Sequence, residues 1–247
     1  MANKLETVER KLALVFGGTR GIGAASVDAL AKGGYDVAYT YVSSNPALPA
    51  TIGASRTRGY RADITDLAQV QQAFADVQRD FGTAPHCVLA NAGINVPGAP
   101  VGQFDPDSFR KLVEVNIVGA FHVLREAAQK VPDGGCIIAV TTSLVRVMAP
   151  NFGPYIATKA AVESLVRSMS RELAPRKVRV NAVAPGPVDT DLFRAGKTEE
   201  AIARSAAMSP FNRVGLPSEV ADVVAFLASD KASWVHGQVV QPNGGLV

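Results

Sequence analysis

Only two cysteines, Cys87 and Cys136, occur in the 247 residues, each inside a short apolar run. Buried reduced thiols are a better reading than a disulfide, and they suit a reducing compartment such as the cytoplasm. No apolar run reaches the roughly eighteen residues that a membrane-spanning helix requires. The segment from Met1 to Lys11 is charged and has no apolar centre, so it does not read as a signal peptide. Excess charge is also scarce: 25 Lys and Arg against 22 Asp and Glu leave +3, too little to imply nucleic acid or an anionic membrane as partner. Aromatic residues are few, at 6%, and no metal-ligand set is expected. What is plentiful is apolar, 47% of the chain, which at this length points to a globular protein with a large Ala- and Val-rich core.

Short apolar runs alternate with helical patterns. Strands are expected at Leu12–Phe16, Asp36–Tyr41, Gly59–Ala62, His86–Ala90, Cys136–Thr141, Val178–Ala182 and Gln238–Gln241. Helices are expected near Gly21–Lys32, Leu67–Phe81, Asp107–Val131, Gly153–Ala174 and Pro217–Ala228. Pro46, Pro49 and Gly53 should leave any helix in Ser43–Arg58 short or broken. The alternation predicts an α/β protein, a doubly wound parallel sheet of about seven strands with helices on both faces, in one domain spanning 1–247. Asp189–Leu216 is a long connection of mixed pattern, expected to act as a mobile lid over a substrate.

The first apolar run leads straight into Gly17-Gly-Thr-Arg-Gly-Ile-Gly23 and then into a helical pattern. Strand, glycine turn, helix is the context in which such glycines bind a dinucleotide. Gly17 allows a tight exit from the strand, while Gly21 and Gly23 let backbone approach a pyrophosphate at the helix N-terminus. A plain glycine turn in an α/β protein is the alternative.

Tyr155 and Lys159 stand four apart in the segment Tyr155-Ile-Ala-Thr-Lys159, which reads as helix. They therefore share a face and can reach one ligand. A free phenol titrates near ~10; a nearby ammonium favours the phenolate and is expected to lower that value. Chance placement on an amphipathic helix is the competing account of the pair alone.

Taken together, the glycine turn and the Tyr155/Lys159 pair resemble the short-chain dehydrogenase/reductase family in its compact, Rossmann-like form. The likeness runs from about Lys11 to the C-terminus. Ala90-Asn-Ala-Gly93 resembles the family's Asn-Asn-Ala-Gly strand end, and Asn116-Ile-Val-Gly119 its helical Asn-x-x-Gly. Thr141-Thr-Ser143 falls where the catalytic serine follows a strand, Pro185-Gly-Pro-Val-Asp-Thr190 matches the Pro-Gly-x-Val-x-Thr loop, and Asn243-Gly-Gly245 the Asn-Gly-Gly ending. Phe16 replaces the usual Thr before the first glycine, and Ala90 the first Asn of the second motif. Many relatives carry the catalytic hydroxyl thirteen residues before the tyrosine, which here is Thr142; Ser143, twelve before, is the preferred candidate as in relatives with a shorter loop.

NAD-binding relatives carry a carboxylate at the end of the second strand to hold the ribose 2′-hydroxyl. Here that position is Tyr41, followed by Val42, Ser43 and Ser44. Without a carboxylate a 2′-phosphate meets no repulsion, and Arg20, Ser43 and Ser44 can donate hydrogen bonds to it. NADP(H) is therefore the expected cofactor, although Arg20 also reads as a solvated turn residue. Asp63, after the third strand, resembles the family's adenine contact, with a turn carboxylate as the alternative. Thr19, Ile22, Asn91, Ala92 and Gly93 complete the expected dinucleotide contacts at that side, and Pro185, Gly186, Val188 and Thr190 those at the carboxamide.

The resemblance implies an NADPH-dependent carbonyl reductase similar to 3-oxoacyl-carrier-protein reductases. Tyr155 donates the proton, Lys159 lowers its pKa and holds the nicotinamide ribose, and Ser143 hydrogen-bonds the carbonyl oxygen. Asn116 would hold a water in a proton relay, or else simply tie helix to strand. An alcohol dehydrogenase working oxidatively and a non-catalytic dinucleotide-binding regulator are the alternatives. The partners expected are a small carbonyl or alcohol substrate and further copies of the chain, a tetramer by family resemblance. Val96, Val145, Met148, Phe152, Leu192 and Phe193 are candidates for an apolar substrate pocket. Arg146, Arg167 and Arg171 read as solvated cations more readily than as anion contacts.

Overall fold

The computed structural model describes residues 10–43 and 48–247. Among these, eight strands form one sheet in the order β3-β4-β2-β1-β5-β6-β7-β8. They are β1 Leu12–Phe16, β2 Asp36–Tyr41, β3 Thr51–Ile52, β4 Ser55–Arg61, β5 Cys87–Ala90, β6 Cys136–Val140, β7 Arg179–Val183 and β8 Val239–Val240. All neighbours are parallel except β3, which pairs antiparallel with β4. The helices are α1 Gly21–Lys32, α2 Leu67–Phe81, α3 Pro106–Val113, α4 Ala120–Lys130, α5 Leu144–Val147, α6 Gly153–Leu173, α7 Asp191–Arg194, α8 Glu199–Ala207 and α9 Pro217–Ala228.

The strands are continuous apolar runs because both faces of the sheet are covered. Alternation along β1 makes the division plain. Leu12, Leu14 and Phe16 join a core with Phe74 of α2, Leu124 of α4 and Val166 of α6. Ala13 and Val15 join a second core with Leu30 of α1 and Val224 and Leu227 of α9. Each fully buried Leu or Val contributes roughly 1.5–3 kcal/mol, so the two cores fix the sheet firmly beneath its loops. Cys87 and Cys136 are register partners on β5 and β6, both buried and free.

Two expectations change. Ser43–Arg58 holds no helix among its described residues; Thr51–Ile52 and the start of β4 make a short hairpin at the sheet edge. Ser55 and Thr57 face inward there, with the Ser55 hydroxyl donating to the carbonyl of Ala31 at 2.9 Å, while Arg56 and Arg58 face solvent. The expected single helix Asp107–Val131 is three segments, because a π-helical turn at Glu114–Gly119 joins α3 to α4. The connection 189–216 contains α7 and α8. No helix among the described residues is long and apolar enough to cross a membrane.

Candidate active site

The chain runs from β1 outward to β2 and β4, then returns to build β5 through β8 on the other side. Where the order reverses, a cleft opens at the carboxyl ends of the strands, the place such sheets hold ligands. Its volume is about 890 Å³.

The glycine turn forms one wall. Gly17 has φ +77, a left-handed conformation that a side chain would strain. A Cβ on Gly23 would lie 1.9 Å from the carbonyl oxygen of Gly17, so α1 can begin this close to β1 only with glycine there. The hydroxyl missing at Phe16 is replaced from the next strand: Gly17 N–H donates to Thr40 Oγ1 at 3.1 Å and Gly18 N–H to the Thr40 carbonyl at 3.0 Å. Phe16 itself packs on Phe74, ring centroids 5.7 Å apart. Despite Ala90, the second motif still braces the turn, since Asn91 Nδ2 donates to the Gly17 carbonyl at 2.8 Å.

Thr19, Arg20, Gly21, Ile22 and Gly23 line the cleft at the N-terminus of α1, where backbone N–H groups and the helix dipole favour an anion. Arg20 sits at the N-cap with an exposed side chain and, among the described residues, no ion-pair partner. Tyr41 and Ser43 line the neighbouring rim, and Ser44 lies outside the described residues. Asp63 reaches the cleft too, with its carboxylate accepting from Thr65 N at 2.9 Å and Thr65 Oγ1 at 2.8 Å. It is thus a turn carboxylate and a wall residue at once. Ala92 and Gly93 continue the wall. A Cβ on Gly93 would stand 3.2 Å from Lys159 Nζ and 3.1 Å from Asn116 Oδ1, so this glycine makes room for the lysine.

The α6 helix brings Tyr155 and Lys159 to the same cleft. Lys159 Nζ donates to the Val140 carbonyl at 3.1 Å. Tyr155 keeps part of its surface open to the cleft, yet its hydroxyl lies deep among protein atoms. Burial pushes the phenol up to about 12 and pulls the ammonium down to about 8. The lowering of Tyr155 expected from Lys159 does not appear in the protein alone, where burial disfavours the charged form of each group. A phenol that keeps its proton suits a donor.

Two other candidates are displaced from the cleft. Ser143 is fully buried, donates to the Ala184 carbonyl at 2.6 Å and accepts from Asn243 Nδ2 at 3.1 Å. The neighbouring Thr142 lines the cleft, its Oγ1 accepting a long 3.3 Å bond from Leu144 N. Thr141 lines the cleft too, but its Oγ1 is engaged with Glu163 Oε1 at 3.1 Å, which leaves Thr142 as the less committed hydroxyl on the cleft. Asn116 lies off the cleft as well. Its Oδ1 accepts from Ile94 N at 2.9 Å, and its Nδ2 donates to the Ile94 carbonyl at 2.9 Å and to Thr158 Oγ1 at 3.2 Å. With its side chain so occupied, it ties the π-helical turn to the loop after β5 and to α6.

The loop after β7 closes the far side, with Pro185, Gly186, Val188 and Thr190 all on the cleft. Thr190 caps α7, its Oγ1 accepting from Phe193 N at 3.1 Å. Of the apolar candidates, Phe152, Leu192 and Phe193 line the cleft, whereas Val96, Val145 and Met148 do not, and Met148 is 78% exposed. Arg146 is only partly exposed and grips Glu163 with two parallel hydrogen bonds. Lys197, Ser205 and Met208 line the cleft from the connection 189–216, and Ile64, Thr65, Asn95 and Leu246 line it elsewhere. Scattered singly over loops and one short helix, these residues share no motif or period that the sequence could have shown.

Residues 17–247 match the family described as enoyl-(acyl carrier protein) reductase. A short-chain type dehydrogenase/reductase of Picea abies is 38% identical over 251 residues, 96% of this chain and 92% of the relative. NADPH-dependent aldehyde reductase 2, chloroplastic, of Arabidopsis thaliana is 34% identical over 96% of this chain and 94% of its own length. The crystal structure of a short-chain dehydrogenase from Burkholderia cenocepacia in complex with NADP superposes with a TM-score of 0.87 at 31% identity, covering 96% of this chain and 97% of that one. A glycine turn, a Tyr/Lys pair on α6 and full-length likeness agree, and the chain belongs to the short-chain dehydrogenase/reductase family.

Proposed function

We propose that this NADP-dependent oxidoreductase reduces the carbonyl group of a small aldehyde or ketone, with Tyr155 as proton donor and Thr142 as the hydroxyl that steadies the carbonyl oxygen. NADP(H) fits the cleft. The N-terminus of α1 offers its first N–H groups over a glycine cradle, the sequence carries no carboxylate at the end of β2, and Arg20 beside them has no ion-pair partner among the described residues. NADPH supplies the hydride when bound.

The residues of the chain do the rest. Thr142 O–H and Tyr155 O–H converge on a carbonyl oxygen and stabilise the negative charge that grows there. Tyr155 then transfers its proton to that oxygen. Lys159, held by the Val140 carbonyl, keeps a positive charge below the phenol and stabilises the phenolate left behind. Leu192 and Phe193 on the lid exclude water and give the substrate side an apolar wall. The observation that carries this reading is that Tyr155, Lys159 and Thr142 open onto the same cleft as the glycine turn.

Purified protein mixed with NADPH or NADH and a panel of aldehydes, ketones, cyclic diketones and acyl thioesters tests it. NADPH consumption with at least one small carbonyl compound is expected. Tight NADPH binding without turnover of any of them would favour a regulator. The homo-oligomer implied by family likeness belongs to this proposal; Trp234, 98% exposed, and half-exposed Phe226 are apolar surface of the kind such a contact covers. Light scattering checks it.

A further inference from the structure

Thr142 sits between two anchored neighbours. On one side Ser143 is tied to the Ala184 carbonyl and to Asn243. On the other, Thr141 Oγ1 donates to Glu163 Oε1 at 3.1 Å. Glu163 is 4% exposed and stands on α6, one turn past Lys159 and two past Tyr155. Its carboxylate is also held by Arg146 of α5, through Nη1 to Oε1 at 2.5 Å and Nη2 to Oε2 at 2.7 Å. Arg146 follows Thr142 by four residues. Both ends of the segment 141–146 are therefore fastened to one buried carboxylate, on the helix that carries the proton donor.

We infer that the Arg146–Glu163 pair positions Thr142 opposite Tyr155, so that these are positioning residues for the reaction and not merely a tie between α5 and α6. The inference rests on the reading of Thr142 as the cleft hydroxyl. Glu163 is buried and Arg146 partly so; taking such a carboxylate out of water is expensive, and a well-packed apolar pair of similar volume is often as stable or more so. A tie needed for stability alone therefore has no need of the ions. What the carboxylate does that an apolar pair would not is accept from Thr141 and fork to Arg146 at once, fixing direction as well as distance. A displacement of about 1 Å in a reacting group can lower the rate a hundredfold, so a fixed direction is worth having here.

The test is a double-mutant cycle between this pair and Thr142, read as kcat, KM, NADPH Kd and melting temperature. Arg146→Met combined with Glu163→Leu should leave melting temperature and NADPH Kd near wild type and lower kcat about tenfold or more. Thr142→Ala should then cost far less in that background than in wild type, because the hydroxyl is already misplaced. Equal losses from Thr142→Ala in both backgrounds, or a wild-type kcat in the paired variant, would overturn the inference while leaving the Thr142 reading intact. A silent Thr142→Ala in wild type would overturn both. Should the paired variant not fold, Arg146→Lys keeps a charge but loses the second parallel bond. It should lower kcat without changing NADPH Kd, and unchanged kcat would count against the positioning role.

Discussion

The hydroxyl of Ser143 points at the carbonyl of Ala184, 2.6 Å away, and so faces into the protein and not into the cleft. Thr142, one residue earlier, is buried too but lies on the wall of the cleft. Thr142→Ala should therefore lower kcat by the ~2.7–4 kcal/mol typical of losing one charge-stabilising donor. Ser143→Ala should act mainly on stability, since Ala184 O and Asn243 Nδ2 both lose a buried partner, at about 1–3 kcal/mol for an unsatisfied group. Steady-state rates and thermal melts of the two variants check this. A larger rate loss in Ser143→Ala would return the role to the serine.

Tyr155→Phe keeps the ring and its packing and removes only the proton donor. Turnover should nearly vanish, with NADPH affinity close to that of the wild type by fluorescence titration. A variant retaining most of the wild-type rate would remove Tyr155 from the reaction.

The buried ammonium of Lys159 gives the reaction a pH dependence. Burial lowers its pKa to about 8, so the positive charge is present below that value and is lost as the pH rises through it. Tyr155, pushed up to about 12, keeps its proton across the same range. The reductive kcat should hence be level in mild acid and fall with an apparent pKa near 8, the falling limb belonging to Lys159. Lys159→Arg, whose guanidinium stays charged, should lower the rate but remove that limb. A limb that persists unchanged in Lys159→Arg would assign the titration to another group.

How much of this was legible before the structure depends on the kind of signal. Strand β1, β2, α1, α2 and α9 have the expected bounds because apolar runs and helix ends announce themselves; Asp66 caps α2 at Ala68 N and Gln69 N, and Gly82 ends it at φ +78. The hairpin β3–β4 was hidden because its buried face is made of Ser55 and Thr57, whose polarity masks the period-two pattern. The π-helical turn at Glu114–Gly119 leaves the amphipathic pattern almost unchanged, so the rerouting of Asn116 toward Ile94 gave no warning. The choice between Thr142 and Ser143 turns on the direction of one residue after β6, which spacing to Tyr155 alone cannot fix. The dinucleotide wall was far more legible, because glycines at a strand–helix junction have few alternative uses: every described residue expected there lines the cleft.

Cofactor preference gives the last prediction. The end of β2 brings Tyr41 and Ser43 to the cleft, and Arg20, with no ion-pair partner among the described residues, lines the same cleft. NADPH should be favoured over NADH by at least about tenfold, roughly 1.4 kcal/mol. Arg20→Ala should weaken NADPH much more than NADH, because only NADPH presents a 2′-phosphate for charge-assisted hydrogen bonds. Tyr41→Asp should reverse the bias from both directions, repelling the phosphate and supplying the acceptor that a ribose 2′-hydroxyl needs. The measurement is kcat/KM for both cofactors in wild type and the two variants. An NADH preference in wild type, or equal losses for both cofactors in Arg20→Ala, would mean that the 2′-phosphate is held elsewhere than between Arg20 and the β2 rim.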